Sequence, residues 1–302
     1  MEAINRQTWR QKWEAYKHRP LSLFLFIAVS LAMLITVAAL ITLIGYILVM
    51  GVPHLTGDLF SFTYTSDNVS LMPALVNTVL MTVLALLLAA PLGIFAAIYL
   101  VEYAGRGNPL VKVVRVTAET LSGIPSIVYG LFGMLFFVGA IGWGYSFLSG
   151  AFTLAIMILP LIMRTTEEAL KSVPDAYREG SFGLGAGRLR TVFKIVLPSA
   201  VPGILAGVIL SIGRIVGETA ALIYTAGTVP DFPRAIADSG NGIVDAASSL
   251  LSSGRTLSVH MYALSSEALH TDQAYATAVV LLIMVVGINA LSAAIAKKIA
   301  KG

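Results

Sequence analysis

The chain contains no cysteine, and its few histidines are not grouped. Without cysteine there is no disulfide, no thiolate metal ligand and no cysteine nucleophile. The histidines are too far apart in sequence to give a metal-ligand spacing, so we predict no metal site; they are His18, His54, His260 and His270. These absences exclude a disulfide framework and a thiol-dependent enzyme.

Charge is the second shortage. Charged residues make up 12% of the 302 positions, against about 25% in an average globular domain. Hydrophobic residues make up 57%, and they occur in long runs, which places the chain among membrane proteins. The formal net charge of +4 does not call for nucleic acid, because the basic residues lie at the ends of the apolar runs.

The apolar runs predict the number of membrane spans. A helix needs about 20 apolar residues to cross the bilayer core. Residues 21–50 contain no charge and exceed the roughly 7–15-residue core of a signal peptide, so we predict a first transmembrane helix that stays in the mature protein. Further spans are predicted at about 73–101, 113–140, 145–163, 200–228 and 274–296. The predicted fold is therefore an all-α, polytopic membrane protein with six transmembrane helices.

Lysine and arginine concentrate on one side of these predicted spans, as they do in cytoplasmic loops. They occur in the tail at 1–20, after the second span, in 164–199 and after 296, whereas the opposite segments hold only Arg234 and Arg255. We predict that both termini are cytoplasmic and that 229–273 is an extracytoplasmic loop. The basic tail either anchors this topology or lies as a helix in the membrane interface.

The segment 165–199 carries a spaced pattern. Its members are Glu179, Gly180, Ser181, Gly185, Ile195, Leu197 and Pro198. Pro174 favours a helix start at Asp175, glycines at 183, 185 and 187 predict a break, and a second helix is expected from Arg188 to Val196. A stiff helix-turn-helix between two spans can transmit a push to both. The alternative is a plain cytoplasmic loop stiffened by charges.

This pattern resembles the EAA loop of ABC importer permeases, with Gly180 and Ser181 in place of the usual two alanines. The resemblance implies that Glu179 begins a coupling motif whose short helix docks into a cleft on an ATPase subunit. The chain has no G-x-x-x-x-G-K-[ST] loop. We therefore predict no cofactor and no ATP site in this chain, and hydrolysis of ATP by a partner ATPase.

Further stretches resemble the phosphate ABC importer permease, more its PstA-type than its PstC-type subunit. They are ETLSGIPSIVYGLFG from Glu119, LPLIMRTTEEAL from Leu159 and GRIVGETAALIYTAG from Gly213, within a similarity over 70–296. This resemblance implies a permease of the bacterial cytoplasmic membrane that imports phosphate by alternating access. The implied partners are a second related permease, two ATPase subunits and an extracytoplasmic phosphate-binding protein.

Charges inside apolar runs are costly, at least about 2.5 kcal/mol for arginine at the bilayer centre, and mark candidate pathway residues. Arg214 lies near the middle of the fifth predicted span, and Glu218 follows one helical turn later, so we predict that they pair. Arg164 and Glu167 are predicted to pair at the end of the fourth span. The hypothesis is that Arg214 meets phosphate in the translocation pathway and that Glu218 keeps the arginine from trapping it. The alternatives are a structural ion pair and, for Arg164, a snorkelling anchor.

Gly123 and Pro125 interrupt the third predicted span. Proline removes a helical hydrogen bond and kinks a helix, and interrupted spans often line substrate pathways. A packing kink is the alternative. Glu119 precedes this break and either pairs with one of the arginines or lies at the membrane interface.

Three other functions compete with phosphate import. Within the class, the substrate could be phosphonate, sulfate or molybdate. An ion-coupled secondary transporter would have no need of the EAA pattern, and a membrane receptor or scaffold would have no need of charges in mid-span. The loops 51–72 and 229–273 either receive the binding protein or, through Ile243, Ala247, Leu250 and Leu251, rest as a surface helix on the bundle.

Overall fold

The computed structural model describes residues 20–105, 107–230 and 250–299, without the side chains of Ser292 and of residues 295–299. The predicted basic tail before Pro20 and the part of the 229–273 loop that contains Ile243 and Ala247 lie outside the described residues. The chain divides into two units, one ending at Met50 and the other beginning at Gly51.

All regular structure in the described ranges is helical, without a strand. The α-helices are α1 Pro20–Gly51, α2 Met72–Ile98, α3 Pro109–Ser122, α4 Ser126–Gly133, α5 Phe147–Lys171, α6 Asp175–Gly183, α7 Arg188–Thr191, α8 Leu197–Val216, α9 Ala220–Ile223, α10 Leu257–Glu267 and α11 Thr271–Ile299. Short 3₁₀ turns occupy Val52–His54 and Gly57–Phe60. π-Helical turns occupy Tyr99–Tyr103, Met134–Ala140 and Val192–Val196.

Among the described residues, five helical segments are long and apolar enough to cross a membrane, or up to six if one bent pair counts as a single span. The five are Pro20–His54, Met72–Tyr103, Phe147–Lys171, Arg188–Val216 and Thr271–Leu291. The all-α architecture and five of the six predicted spans are therefore present. The third predicted span, 113–140, is different.

That third span consists of two helices at 101° to each other, Pro109–Ser122 and Ser126–Ala140. Gly123 ends α3, and Pro125 precedes the first residue of α4. The residue before a proline is disfavoured in the helical conformation, which places the break at Ile124. The Tyr129 hydroxyl donates a hydrogen bond to the Leu121 carbonyl across it, at 2.7 Å. The expected kinked helix is thus a sharp break.

The fifth span also ends earlier than predicted, at Val216, and its helix begins earlier, at Arg188. A continuous helix over 200–228 was expected, but α8 ends at Val216 and only the short α9 follows. Gly217 forms the helix terminus, with its N–H bonded to the Gly213 carbonyl. The Glu218 carboxylate then accepts a hydrogen bond from the backbone N–H of Ala221 at 3.0 Å, which caps the start of α9.

The core of the second unit is built where α5 packs between α2 and α8. Buried apolar side chains from these helices and α9 form it: Met81, Ala85, Leu154, Ile158, Ile162, Ile215 and Leu222. α4 packs closely on α9 because Gly130 has no side chain; a Cβ there would lie 2.8 Å from the Cα of Ala221. This packing holds the broken third span against the end of the fifth.

The connecting segment, defined as residues 172–196 between α5 and α8, follows the predicted boundaries. α6 begins after Pro174 and ends at Gly183. Gly185 has φ +82°, the left-handed conformation that glycine adopts readily. α7 then starts at Arg188 and continues through the π-helical turn Val192–Val196 into α8 without a break at Pro198. The connecting segment is therefore joined to α8 by uninterrupted helix.

Candidate functional site

A cavity of about 580 Å³ with many charged side chains in its lining opens beside α3, α5 and the last turn of α8. Charged side chains line it from all three helices. They are Arg115 and Glu119 from α3, Arg164, Glu167, Glu168 and Lys171 from α5, and Arg214 from α8. A neighbouring cavity of about 710 Å³ shares Arg115, Glu119 and Lys171 with it.

The cavity brings together three of the four predicted pathway residues. Arg164 and Glu167 reach it from α5, and Arg214 reaches it from α8. Glu218 is not among the lining residues; it is buried on the other side of the Gly217 break. Ser122 also lines the cavity, so the break at Gly123 and Pro125 lies directly beside it.

The ion pairs inside the cavity differ from the predicted ones. Glu167, whose side chain is only 9% exposed, accepts hydrogen bonds from Arg115 Nη2 at 2.7 Å and from Lys171 Nζ at 2.6 Å. The predicted Arg164–Glu167 pair is therefore wrong. Arg164 Nε instead donates to Glu168 Oε1 at 3.1 Å, and both of these side chains are exposed. The spacing of four residues aligns them on one face of α5, while Glu167 turns inward to α3.

The predicted Arg214–Glu218 pair is wrong too, because it assumed a continuous helix. α8 ends between the two residues, and the Glu218 carboxylate bonds to the Ala221 N–H instead. Within the described part of the chain, no carboxylate forms an ion pair with the half-buried Arg214 guanidinium. Arg214 lies in the last turn of α8, where the helix dipole favours a cation. Its donor groups are therefore available to an anion in the cavity.

Glu218 is held by a strip of chain, residues 252–258, that crosses the ends of several helices. The Ser258 hydroxyl donates to the Glu218 carbonyl at 2.6 Å. The backbone N–H of Leu257 donates to the Thr78 hydroxyl of α2 at 2.8 Å, and the Arg255 N–H donates to the Val229 carbonyl at 2.9 Å. The 252–258 strip therefore fixes the far side of the Gly217 break.

The 252–258 strip contains a buried arginine that sequence reasoning listed only as a topological charge. Arg255 is 5% exposed, and its guanidinium lies 4.9 Å from the centre of the Tyr64 ring. In the part of the chain that the structure describes, its Nε and Nη2 have no hydrogen-bond acceptor. Burial and the nearby Arg255 charge lower the pKa of His260 in α10 to about 3. The only sequence signal for this cluster is the single arginine in an otherwise uncharged stretch.

The residues of the EAA-like pattern divide between surface and interior. Glu179, Gly180 and Gly185 are exposed. Ser181 is buried, and its hydroxyl shares a 2.8 Å hydrogen bond with that of Thr191, so a small residue is needed where α6 meets α7. Of the last three, Ile195 and Leu197 are half-buried and Pro198 is exposed.

The connecting segment also exposes large apolar side chains that the sequence pattern did not single out. The most exposed is Leu184, at 91%, in the turn after α6. Others on the same segment are Tyr177, Phe182, Leu189 and Phe193. A cluster of exposed apolar side chains in a polar segment is typical of a protein–protein contact surface.

Comparison with known proteins gives a family match and curated relatives. The family model described as "Binding-protein-dependent transport system inner membrane component" matches residues 89–302. The Probable ABC transporter permease protein YqgI of Bacillus subtilis is 35% identical over 79% of this chain and 81% of its own length. The phosphate transport system permease protein PstA of Yersinia pestis is 36% identical over 72% of each chain.

Solved structures share the fold at lower identity. A bacterial alginate ABC transporter, in complex with an alginate-pentasaccharide-bound periplasmic protein, has a chain that matches with a TM-score of 0.62 and 18% identity. The match covers 94% of this chain and 98% of that one. The MetNI methionine ABC transporter in an inward-facing conformation matches with a TM-score of 0.55 and 18% identity, over 75% and 93%.

Proposed function

Because the chain belongs to the family of binding-protein-dependent transport system inner membrane components, with the type I ABC importer permease fold, we propose that its substrate is inorganic phosphate. One observation carries the proposal: the Arg214 guanidinium, which has no ion-pair partner among the described residues, lines a cavity between membrane helices. The relatives named as phosphate transport permeases support this substrate.

Arg214 is chemically suited to a small oxyanion. Its planar guanidinium donates two parallel hydrogen bonds to two oxygens of one anion, which a lysine cannot do. The other cations of the cavity are occupied: Arg115 and Lys171 by Glu167, and Arg164 by Glu168. The anion would therefore bind first at Arg214.

Release follows from the acidic side chains of the same cavity. Glu119 and Glu168 line it beside the arginines, so a phosphate that moves along the cavity meets negative charge soon after positive charge. A transport site must bind an ion strongly enough to admit it and weakly enough to let it leave. The proposed pathway residues are thus Arg214, Arg164 and Glu167 as predicted, with Arg115 and Glu119 added. Glu218 becomes a structural cap.

The energy would come from a partner. We propose that the connecting segment contacts an ATPase subunit through exposed residues such as Glu179 and Leu184, while the buried Ser181 holds α6 against α7 beneath them. The chain itself would then hydrolyse no ATP and carry no cofactor. The complete importer would contain a second, related permease, two ATPase subunits and an extracytoplasmic binding protein, with both termini of this chain in the cytoplasm.

A guanidinium can also bind other tetrahedral oxyanions, so sulfate, molybdate and phosphonate are the competing substrates; the names of the relatives favour phosphate. The experiment is uptake of labelled phosphate into vesicles that contain the complete importer, with and without ATP and with each competing anion in excess. We expect ATP-dependent uptake that unlabelled phosphate suppresses and sulfate does not. Uptake of sulfate in preference to phosphate would overturn the substrate, and uptake without ATP would overturn the mechanism.

A further inference from the structure

Arg178 of α6 is the most extensively bonded arginine among the described residues, and all its nitrogens are used. Nε and Nη2 both donate to the Glu102 carboxylate, at 3.2 and 2.7 Å. Nη2 also donates to the Leu170 carbonyl at 2.9 Å, and Nη1 donates to the Val173 carbonyl at 2.8 Å. A further bond joins Nη1 to Asp175. One side chain therefore connects α6, the end of α5 and Glu102.

The Arg178–Glu102 pair is well shielded from water. The Arg178 side chain is 15% exposed and that of Glu102 is 9% exposed. Hydrogen bonding to Glu102 is the main reason that the pKa of the Arg178 guanidinium is raised above its ordinary value. In contrast, the Arg164–Glu168 pair is 61% and 64% exposed. A two-point, shielded pair fixes geometry, whereas an exposed pair is screened and contributes little.

Glu102 belongs to a different helix from those that flank the connecting segment. It lies in the π-helical turn Tyr99–Tyr103, which continues α2. The chain joins α6 covalently only to α5 and, through α7, to α8. Beneath the pair, Leu100 from this turn packs in one apolar cluster with Leu170 and Val192. Arg178 is thus a polar bridge from α6 to α2, laid over an apolar contact.

We propose that Arg178 and Glu102 are positioning residues that couple α6 to α2, so that a displacement of α6 moves α2 together with α5. The inference rests on the proposed function, since it takes the displacement to come from an ATPase subunit that contacts α6. Neither residue touches the substrate. Without the pair, α6 still moves when ATP is hydrolysed, but α2 no longer follows it.

The first measurement is the amount of anion imported per ATP hydrolysed, in vesicles that contain the complete importer. Glu102→Gln should lower this ratio at least several-fold while ATP hydrolysis persists. Arg178→Lys should lower it less, because lysine keeps the charge and loses the fork. The control is His54→Gln with Asp272→Asn, which removes an exposed pair whose residues line neither cavity. A purely structural role would lower import and hydrolysis together and leave the ratio unchanged, which would overturn the proposal.

A second measurement guards against misfolding. The unpaired charge left by a single substitution destabilises a buried site, so the double variant Glu102→Gln with Arg178→Gln removes both charges. We expect the double variant to be more stable than Glu102→Gln alone and still uncoupled. A double variant that imports as much per ATP as the unmodified protein would overturn the proposal.

The third measurement does not depend on the substrate. The chain has no cysteine, so nitroxide labels can be attached to Ala176→Cys in α6 and Leu92→Cys in α2, both exposed positions. Double electron–electron resonance in the complete importer measures the distance between the two labels. With the pair intact, the distance distribution should be narrow and unchanged by ATP, and Glu102→Gln should broaden it. A distance that changes with ATP while the pair is intact would overturn the link. If the distribution behaves as expected but no phosphate is carried, the substrate proposal fails and the link is supported.

Discussion

Two arginines show how the same side chain is used for opposite purposes in this molecule. Arg178 is shielded and bonded to two carboxylates and two carbonyls, so its guanidinium cannot turn toward anything else. Arg214 lines an open cavity, and in the described part of the chain no carboxylate pairs with it. An arginine whose donor groups are all hydrogen-bonded to protein holds helices in position. An arginine without a carboxylate partner is able to bind an anion. The partners of an arginine therefore indicate its role better than its depth in the membrane does.

The strongest test of this comparison is to remove the guanidinium of Arg214. Arg214→Gln should lower phosphate uptake about 10–100-fold, since a hydrogen bond to a charged group contributes about 1.5–3 kcal/mol. Uptake by Arg214→Lys should lie between that of the unmodified protein and that of Arg214→Gln, because lysine keeps the charge but cannot donate two parallel hydrogen bonds. The measurement is initial uptake at equal amounts of protein in the membrane. Normal uptake by Arg214→Gln would show that Arg214 does not bind the transported anion.

The ion pairs inside the cavity can also be broken. Glu167→Gln would leave Arg115 and Lys171 without their shared carboxylate, so two more cations would face the anion. We expect tighter binding and slower release, with the KM and the maximal uptake rate both falling, the rate by about tenfold for a change of about 1.4 kcal/mol. Concentration-dependent uptake measures both. A higher KM would show that Glu167 does not compete with the substrate for these cations.

Arg255 extends the comparison to an arginine that is buried yet lacks a carboxylate among the described residues. Burial of His260, together with the charge of Arg255 beside it, holds the pKa of His260 at about 3, against an ordinary value of 6.5. The unfolded chain therefore binds a proton below pH 6.5 that the folded chain refuses until about pH 3, so stability falls as the pH falls through this window. Between pH 7 and pH 6 the loss should be about 0.7 kcal/mol.

The measurement for His260 is the thermal unfolding midpoint of the purified protein as a function of pH. His260→Gln should remove most of the dependence below pH 6.5. The exposed His54 provides the matched control, and His54→Gln should leave the dependence in place. Equal pH dependence in all three proteins would mean that His260 is not kept neutral by its surroundings.

The smallest effect is expected at the exposed pair. Arg164→Gln should change stability by about 0.3 kcal/mol, since exposed pairs spaced by four residues on a helix contribute about 0.3–0.5 kcal/mol. Its uptake should remain closer to that of the unmodified protein than the uptake of Arg214→Gln. An equally large loss for Arg164→Gln would show that an arginine paired in this structure can still be a substrate ligand.

Features that depend on neighbours in sequence were predicted well. Pro174 and the glycines at 183, 185 and 187 set the bounds of α6 through local backbone preferences, and these act regardless of the rest of the fold. Charges in apolar runs are costly, so Arg164, Glu167 and Arg214 could be singled out before their surroundings were known. The cavity joins them because helices that carry buried polar groups pack those groups toward one another.

Features that depend on distant partners were not predicted. Glu102 and Arg178 are 76 residues apart, and Arg115 meets Glu167 from another helix, so no local spacing announces either pair. The Arg214–Glu218 prediction failed for a different reason. Its spacing was right for a helix, but Gly217 ends that helix. Residues four apart in sequence pair on a helix only when the helix continues from one of them to the other.

The break at Gly217 also has a mechanical consequence. A long helix can pass a displacement from one of its ends to the other, and from Arg188 to Val216 the fifth span is one continuous helical segment. A displacement of the connecting segment at Arg188 would therefore be passed along this helix toward Arg214. The helix ends at Val216, and beyond it the Glu218 carbonyl accepts a hydrogen bond from the Ser258 hydroxyl. The fifth span therefore carries Arg214 at the end of a long helix, next to residues that the 252–258 strip holds in place.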